Sequence, residues 1–133
     1  MSEDYPQASI LIVDDDVSFA SALQKTLGKV GHEVVLADNF ADALRLVTTR
    51  CFDLVVTDYR IGSSSGLDMI SSIRQRGVPV KILLLTAFEE PGSAEKVGAD
   101  GCLSKPVRRG EILECVSLLL THTPGNVESN YQR

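Results

Sequence analysis

The sequence predicts an α/β domain, a doubly wound five-stranded parallel sheet with helices on both faces, and two observations carry that prediction. Short apolar, β-branched runs alternate along the chain with stretches whose apolar residues recur at helical spacing, the signature of βα units stacked into one parallel sheet. Two of those runs, Ile10-Leu11-Ile12-Val13 and Leu54-Val55-Val56-Thr57, also break off abruptly at carboxylates, Asp14 and Asp58. A strand covered on both faces reads as continuous apolar sequence, and its carboxyl end is where open α/β sheets place their chemistry.

Residues 1–8 are polar and contain Pro6, which makes them a loose lead-in. The first strand starts near Ser9 and stops at Asp14-Asp15-Asp16. From Val17 the period changes: Phe19, Leu23 and Leu27 share a helical face with Ala20 and Val30 beside them, and Gly31 marks the end. Glu33 to Ala37 is the second strand, after which Asp38 or Asn39 can cap a helix whose Phe40, Ala43, Leu44 and Val47 keep the i, i+3, i+4, i+7 pattern. The third strand ends in Asp58. Ser63-Ser64-Ser65-Gly66 is too polar and flexible to continue it, so the chain turns and leaves Asp58 near the surface.

Leu67, Ile70 and Ile73 define a third helix that reaches Gly77, and Pro79 bars its continuation. Lys81 to Leu85 is a strand ending in Thr86. Between Phe88 and Val97, Pro91-Gly92 leaves room for a turn or two only, so the fourth helix is expected to be short. Gly101-Cys102-Leu103-Ser104 forms the last strand and leads to Lys105-Pro106. Ile112, Leu113, Val116, Leu119 and Leu120 then build the final amphipathic helix. The domain spans residues 9–120, and residues 121–133 read as a polar tail or the start of a linker. Right-handed crossovers between such units favour the flavodoxin-like strand order 2-1-3-4-5, whose switch point lies between the first and third strands. Asp14, Asp15 and Asp58 are expected to meet there.

A chain of 133 residues with 44% hydrophobic content suits one domain with a real core. No apolar run approaches the roughly 20 residues needed to cross a bilayer, and the first residues lack the basic and apolar regions of a secretory signal. The expected location is the cytoplasm, with no membrane contact. Cys51, Cys102 and Cys115 form no CxxC pair and have no His at zinc-finger spacing, so they are expected to be reduced, packed thiols. Met69, His32 and His122 are assigned to packing or surface. A net charge of -5 and the lack of a basic stripe longer than Arg108-Arg109 argue against direct nucleic-acid binding.

The strand ends together deliver Asp14, Asp15, Asp58, Thr86 and Lys105 to one edge of the sheet. Three clustered carboxylates repel one another and call for a cation, and hard oxygen ligands with no His or Cys nearby point to Mg²⁺ or Mn²⁺. Two adjacent acids exceed what one helix cap needs, so Asp14 and Asp15 are read as site residues and Asp16 as the cap. Lys105 supplies a point charge for Asp58 or a phosphoryl group, Thr86 a hydroxyl for a phosphoryl oxygen, and Ala87 leaves space beside it. The set suits phosphoryl transfer, in which positioning and charge neutralisation do most of the catalysis.

With these residues in order, the chain resembles a response-regulator receiver domain, the phosphoacceptor module of two-component signalling, from about Ser9 to Leu120. The resemblance rests on four motifs: Ile-Leu-Ile-Val-Asp14-Asp15-Asp16, Asp53-Leu-Val-Val-Thr-Asp58-Tyr-Arg, Leu-Leu-Leu-Thr86-Ala87, and Gly98-Ala-Asp-Gly followed by Lys105-Pro106. It implies that Asp58 takes phosphate from a phosphohistidine of a sensor histidine kinase or histidine phosphotransfer domain. Asp14 and Asp15 would form the acidic pocket, with Mg²⁺ held there by Asp15, Asp58 and the backbone carbonyl of Arg60. Thr86 would hydrogen-bond the phosphoryl group, Lys105 would pair with it, and the peptide before Pro106 would be cis. Tyr59, Arg60, Ala87 and Phe88 stand where phosphate lifetime would be tuned. Such a domain is a signalling phosphoacceptor that promotes only its own phosphorylation and dephosphorylation, and a kinase or effector domain could be linked to it beyond this chain.

Three departures accompany the resemblance. Cys102 occupies the switch position where the family usually carries an aromatic residue coupled to Thr86. The Thr86 to Lys105 segment is about three residues short, enough to remove most of a helical turn. Gly62 stands near the place of a usual proline, which predicts a more mobile loop. Two other readings compete. A haloacid-dehalogenase-like phosphatase would use Asp14 as nucleophile with Asp16, Thr86 and Lys105. It needs a further acidic pair at a strand end, whereas beyond Lys105 only Glu111, Glu114 and Glu128 occur, the first two on a helix. A receiver-like module that binds without being phosphorylated is the other alternative.

Overall fold

The computed structural model describes residues 7–87 and 98–121. The short helix expected between Phe88 and Val97, Phe88 itself, His122, the start of the lead-in and the polar tail lie outside the described residues. The elements are β1 (Ser9–Val13), α1 (Val17–Lys29), β2 (Glu33–Ala37), α2 (Phe40–Thr49), β3 (Leu54–Asp58), β4 (Arg60–Ile61), β5 (Ser64–Ser65), α3 (Gly66–Gln75), β6 (Lys81–Thr86), β7 (Gly101–Ser104) and α4 (Arg109–Thr121). Five strands form one parallel sheet in the order β2-β1-β3-β6-β7, the doubly wound arrangement expected. The switch point falls between β1 and β3, where Val13 is opposite Thr57.

Alternation along the strands builds a core on each face. Leu11, Val13, Val55, Ile82 and Leu84 point to one side and pack with Ala43 and Val47 of α2 and Met69, Ile70 and Ile73 of α3. Ile10, Ile12, Leu54, Val56, Leu83 and Leu85 point to the other and meet Ala20, Leu23 and Leu27 of α1 and Ile112 and Val116 of α4. Each Val, Leu, Ile or Met side chain among them contributes about 1.5–3 kcal/mol on burial, which is why both faces of the central strands had to be apolar. Helix starts follow side-chain chemistry. Asp16 caps α1 by accepting the Phe19 amide, and Asn39, the second of the two expected candidates, caps α2 through the Asp42 amide.

Three features differ from expectation. The serine stretch, expected only to turn the chain, closes as a two-stranded antiparallel hairpin, with Arg60 opposite Ser65 and Ile61 opposite Ser64. Gly62, at φ +64°, supplies the left-handed residue of the tight turn, and Ile61, only 3% exposed, anchors the hairpin in the core. The cysteines are in no disulfide, but Cys51 and Cys102 are exposed rather than packed, and Cys115 is half-buried. Cys51 sits in the turn after α2. Cys102 alternates with Gly101 and Leu103 on edge strand β7, and Leu103 packs in the α4-side core, so the Cys102 side chain faces away from it. Finally, α4 begins at Arg109 and includes Thr121.

At the amino edge of β6 and β7, Arg74 of α3 acts as a clamp. Its guanidinium donates to the carbonyls of Gly98 (3.0 Å) and Val80 (2.7 Å) and to Asp100 Oδ2 (2.8 Å). The same Asp100 oxygen accepts the Ile82 amide at 2.8 Å. Gly98 has φ +102°, and a Cβ there would come within 2.9 Å of the Arg74 side chain, so both backbone and space require glycine.

Candidate functional site

Asp14, Asp15, Asp58, Thr86 and Lys105 each stand at or just after the carboxyl end of a strand. Asp14 follows β1, its amide donating to Ala37 O of β2 at 3.1 Å, and it is 2% exposed. Asp15 is exposed, Asp58 closes β3 half-buried, Thr86 closes β6 buried, and Lys105 follows β7, its amide donating to Thr86 O at 2.8 Å. Carboxylate oxygens of Asp14, Asp15 and Asp58 all lie within 4.8 Å of one another. Lys105 Nζ is 3.2 Å from Asp58 Oδ1 and 3.4 Å from Asp14 Oδ2. The Lys105–Pro106 peptide is cis.

The acids are held by backbone amides. The Tyr59 amide donates to Asp58 Oδ1 at 2.8 Å, the Asp16 amide to Asp14 Oδ1 at 2.9 Å, and the Gly62 amide to Asp15 Oδ2 at 2.7 Å. Thr57 Oγ1 donates to Asp58 O at 3.1 Å. Burial pushes the Asp14 carboxyl above the ordinary range and the Asp58 charge adds to that, while the Asp16 amide and Lys105 pull it down. Among the described residues, Lys105 pairs with two of the three carboxylates, so the cluster keeps an excess of negative charge. Three oxygen donors converging in this way, with no His or Cys among them, fit a hard divalent cation such as Mg²⁺.

Other assignments fare differently. Asp16 caps α1, which removes the second acid a phosphatase reading required. Arg60 is exposed and Tyr59 packs partly against the α2–α3 core. Cys102 is opposite Leu84 in the sheet and Ser104, not Cys102, is opposite Thr86. Sequence reasoning missed Gly66, whose amide donates to Tyr59 O at 2.6 Å and where a Cβ would overlap the Asp58 carbonyl oxygen. It also missed the Gly62 amide, legible only as a glycine in a turn, and placed Phe19 solely in the core. The Phe19 ring in fact lies beneath Lys105, with Nζ 4.4 Å from its centroid.

Comparison with known proteins bears on the family and the fold. The family model for the response regulator receiver domain matches residues 10–117. The transcriptional regulatory protein ZraR of Salmonella typhimurium is 38% identical over 117 residues, covering 86% of this chain and 26% of that protein. The response regulator protein PilR of Pseudomonas aeruginosa is 35% identical over 113 residues, covering 83% of this chain and 25% of that protein. The chain therefore spans about a quarter of the length of these relatives. Among solved structures, the chemotaxis response regulator CheY4 of Vibrio cholerae superposes with a TM-score of 0.82 at 28% identity, covering 86% of this chain and all of that one. A CheY-like receiver domain protein from Methanospirillum hungatei gives a TM-score of 0.82 at 23% identity, over 88% of this chain and 96% of that chain, a likeness of fold alone.

Proposed function

Because the chain belongs to the response regulator receiver domain family, the receiving module of two-component signalling, we propose that Asp58 is its phosphoacceptor and that Asp14, Asp15, Thr86 and Lys105 serve that reaction. The observation that carries the reading is the Lys105 ammonium 3.2 Å from Asp58 Oδ1 at the rim of a three-carboxylate cluster. A carboxylate oxygen of Asp58 attacks the phosphorus of a phosphohistidine. The phosphorus–nitrogen bond breaks, and the departing imidazole takes up a proton. The Tyr59 amide fixes the orientation of the Asp58 carboxylate throughout. Lys105 follows the developing charge from the carboxylate to the phosphoryl oxygens, and the Thr86 hydroxyl donates to one of them.

Asp14, Asp15 and Asp58, with the backbone carbonyl of Arg60, are the residues that would hold Mg²⁺ or Mn²⁺. The ion's contribution is to neutralise phosphoryl oxygens that would otherwise be brought up to an acidic cluster. The donor is a sensor histidine kinase or a histidine phosphotransfer domain, and the chain turns over no other substrate. Residues 9–120 constitute the receiver unit, with residues 121–133 as tail or linker. Partial coverage of ZraR and PilR supports a parent that carries an effector domain. We place the domain in the cytoplasm, in keeping with the family. No helix among the described residues is long and apolar enough to cross a membrane.

Intact mass after incubation with Mg²⁺ and acetyl phosphate tests the reading. One added phosphoryl group is expected in the wild type, none in Asp58→Asn, and one still in Cys102→Ser. A wild type that gains no mass overturns Asp58 as phosphoacceptor and leaves the phosphorylation-independent module, while a label on Asp14 establishes the phosphatase-like chemistry instead.

A further inference from the structure

Phe19 belongs to the first turn of α1 and carries no polar atom in its side chain, yet it closes a circuit around the reacting carboxylates. Asp14 Oδ1 accepts the Asp16 amide (2.9 Å), and Asp16 Oδ1 accepts the Phe19 amide (3.1 Å). The Phe19 ring lies 4.4 Å from Lys105 Nζ, and Lys105 returns to Asp14 Oδ2 (3.4 Å). The helix cap thus fixes where the ring stands, and the ring fixes one wall of the space the ammonium occupies. The other walls are carboxylate oxygens of Asp14 and Asp58. The geometry points to Phe19 as a positioning residue for phosphoryl acceptance, one that holds the Lys105 ammonium against Asp58 by a cation–π contact.

Physical chemistry explains why an aromatic face suits this place. Lysine has a flexible four-carbon stem, and its ammonium prefers water unless something else attracts it. An acidic residue at the Phe19 position would attract it too, but would add a fourth negative charge to a cluster already in excess. A ring face attracts the cation through its quadrupole, adds no net charge, and offers no lone pair to compete with an incoming phosphoryl oxygen. With the side chain of Lys105 only 22% exposed, the contact is partly shielded from solvent, where such attractions are worth more. The first step of the reaction then finds its cation in place instead of recruiting it from solvent.

The proposal rests on Asp58 as phosphoacceptor, and the test separates the two. Phe19→Leu, Phe19→Met and Phe19→Tyr are compared with the wild type by rate of mass gain from acetyl phosphate and Mg²⁺. Proton NMR of the Lys105 methylenes is recorded on the same proteins before any donor is added. Leu and Met keep the apolar packing against the α1–α4 core but remove the π face, and are expected to slow labelling about three- to tenfold. Tyr keeps the face and is expected to recover most of the rate. The upfield ring-current displacement of the Lys105 methylenes is expected in the wild type and Tyr variant and lost in the Leu and Met variants. Melting temperatures of the four proteins control for packing loss. Labelling of the Leu and Met variants at the wild-type rate overturns the proposal, and so does a Tyr variant as slow as they are. A wild type that takes up no phosphoryl group overturns Asp58 as acceptor and this role with it, a result set apart from the others by the missing wild-type signal.

Discussion

Removing the Asp14 charge is expected to stabilise the folded chain while disabling its site. Asp14 is 2% exposed, and its carboxyl faces the carboxylates of Asp15 and Asp58 within 4.8 Å and the Lys105 ammonium at 3.4 Å. At an effective dielectric of about 20, like charges at the outer limit of that separation repel by about 3.5 kcal/mol and the lysine attracts by about 4.9 kcal/mol. Burial penalises the Asp14 charge most; the Asp58 repulsion adds to that and offsets much of the lysine attraction, while the exposed Asp15 adds little after screening. Asp14→Asn retains an Oδ1 that can accept the Asp16 amide. The variant should gain about 1–2 kcal/mol, or roughly 3–8 °C in melting temperature, in metal-free buffer with EDTA near neutral pH. Adding Mg²⁺ should raise the wild type more than the variant and narrow the gap. The pH dependence has a definite sign. Burial raises the folded-state carboxyl of Asp14 above its ordinary 3.8, so between those values the folded chain binds more protons than the unfolded one. The contribution of Asp14 therefore becomes less favourable as pH rises through that window, and the variant's advantage grows with it and fades in acid. A variant that melts below the wild type in EDTA at neutral pH would refute the reasoning.

Gly66→Ala should cost about 1–3 kcal/mol in urea unfolding and slow labelling of Asp58, because its Cβ would overlap the Asp58 carbonyl oxygen and approach Leu84 Cδ1 to 3.3 Å; a loss under about 0.5 kcal/mol would show that the β3–α3 junction yields without strain. His32 is buried at 7% exposure with its Nδ1 accepting the Ala8 amide at 3.1 Å, and burial lowers its pKa below 6.5 although Asp53 opposes. Below that value the unfolded chain takes up a proton that the folded chain resists, so stability falls as pH drops through 6.5 and is complete above it; thermal melts between neutral and mildly acidic pH should show a shallower decline in His32→Gln, and equal slopes would exclude the histidine as the cause.

What could be read from the sequence was what local signals carry. The bounds of β2 and β7 follow from short runs between breakers, and the meeting of Asp14 with Asp58 follows once the strand order does. The β4–β5 hairpin could not be read, because two residues per strand carry no period and its anchor, Ile61, is one isolated apolar residue. Cys102 was misjudged because thiol burial depends on which side of an edge strand faces a helix, and it took the other side. The Phe19–Lys105 contact joins α1 to the loop after β7, and nothing local to either residue announces it. The carbonyls gathered by Arg74 are equally silent, since every residue has one.

That clamp bears on how the domain can change over time. Thr86 is fixed by its place in β6, and the chain is caught again at Gly98 beneath Arg74, whose partner Asp100 also holds the start of β6. Both ends of the intervening stretch are thus anchored independently of the number of residues between them. A change in the number of residues there need not disturb the register of β7 or the reach of Lys105.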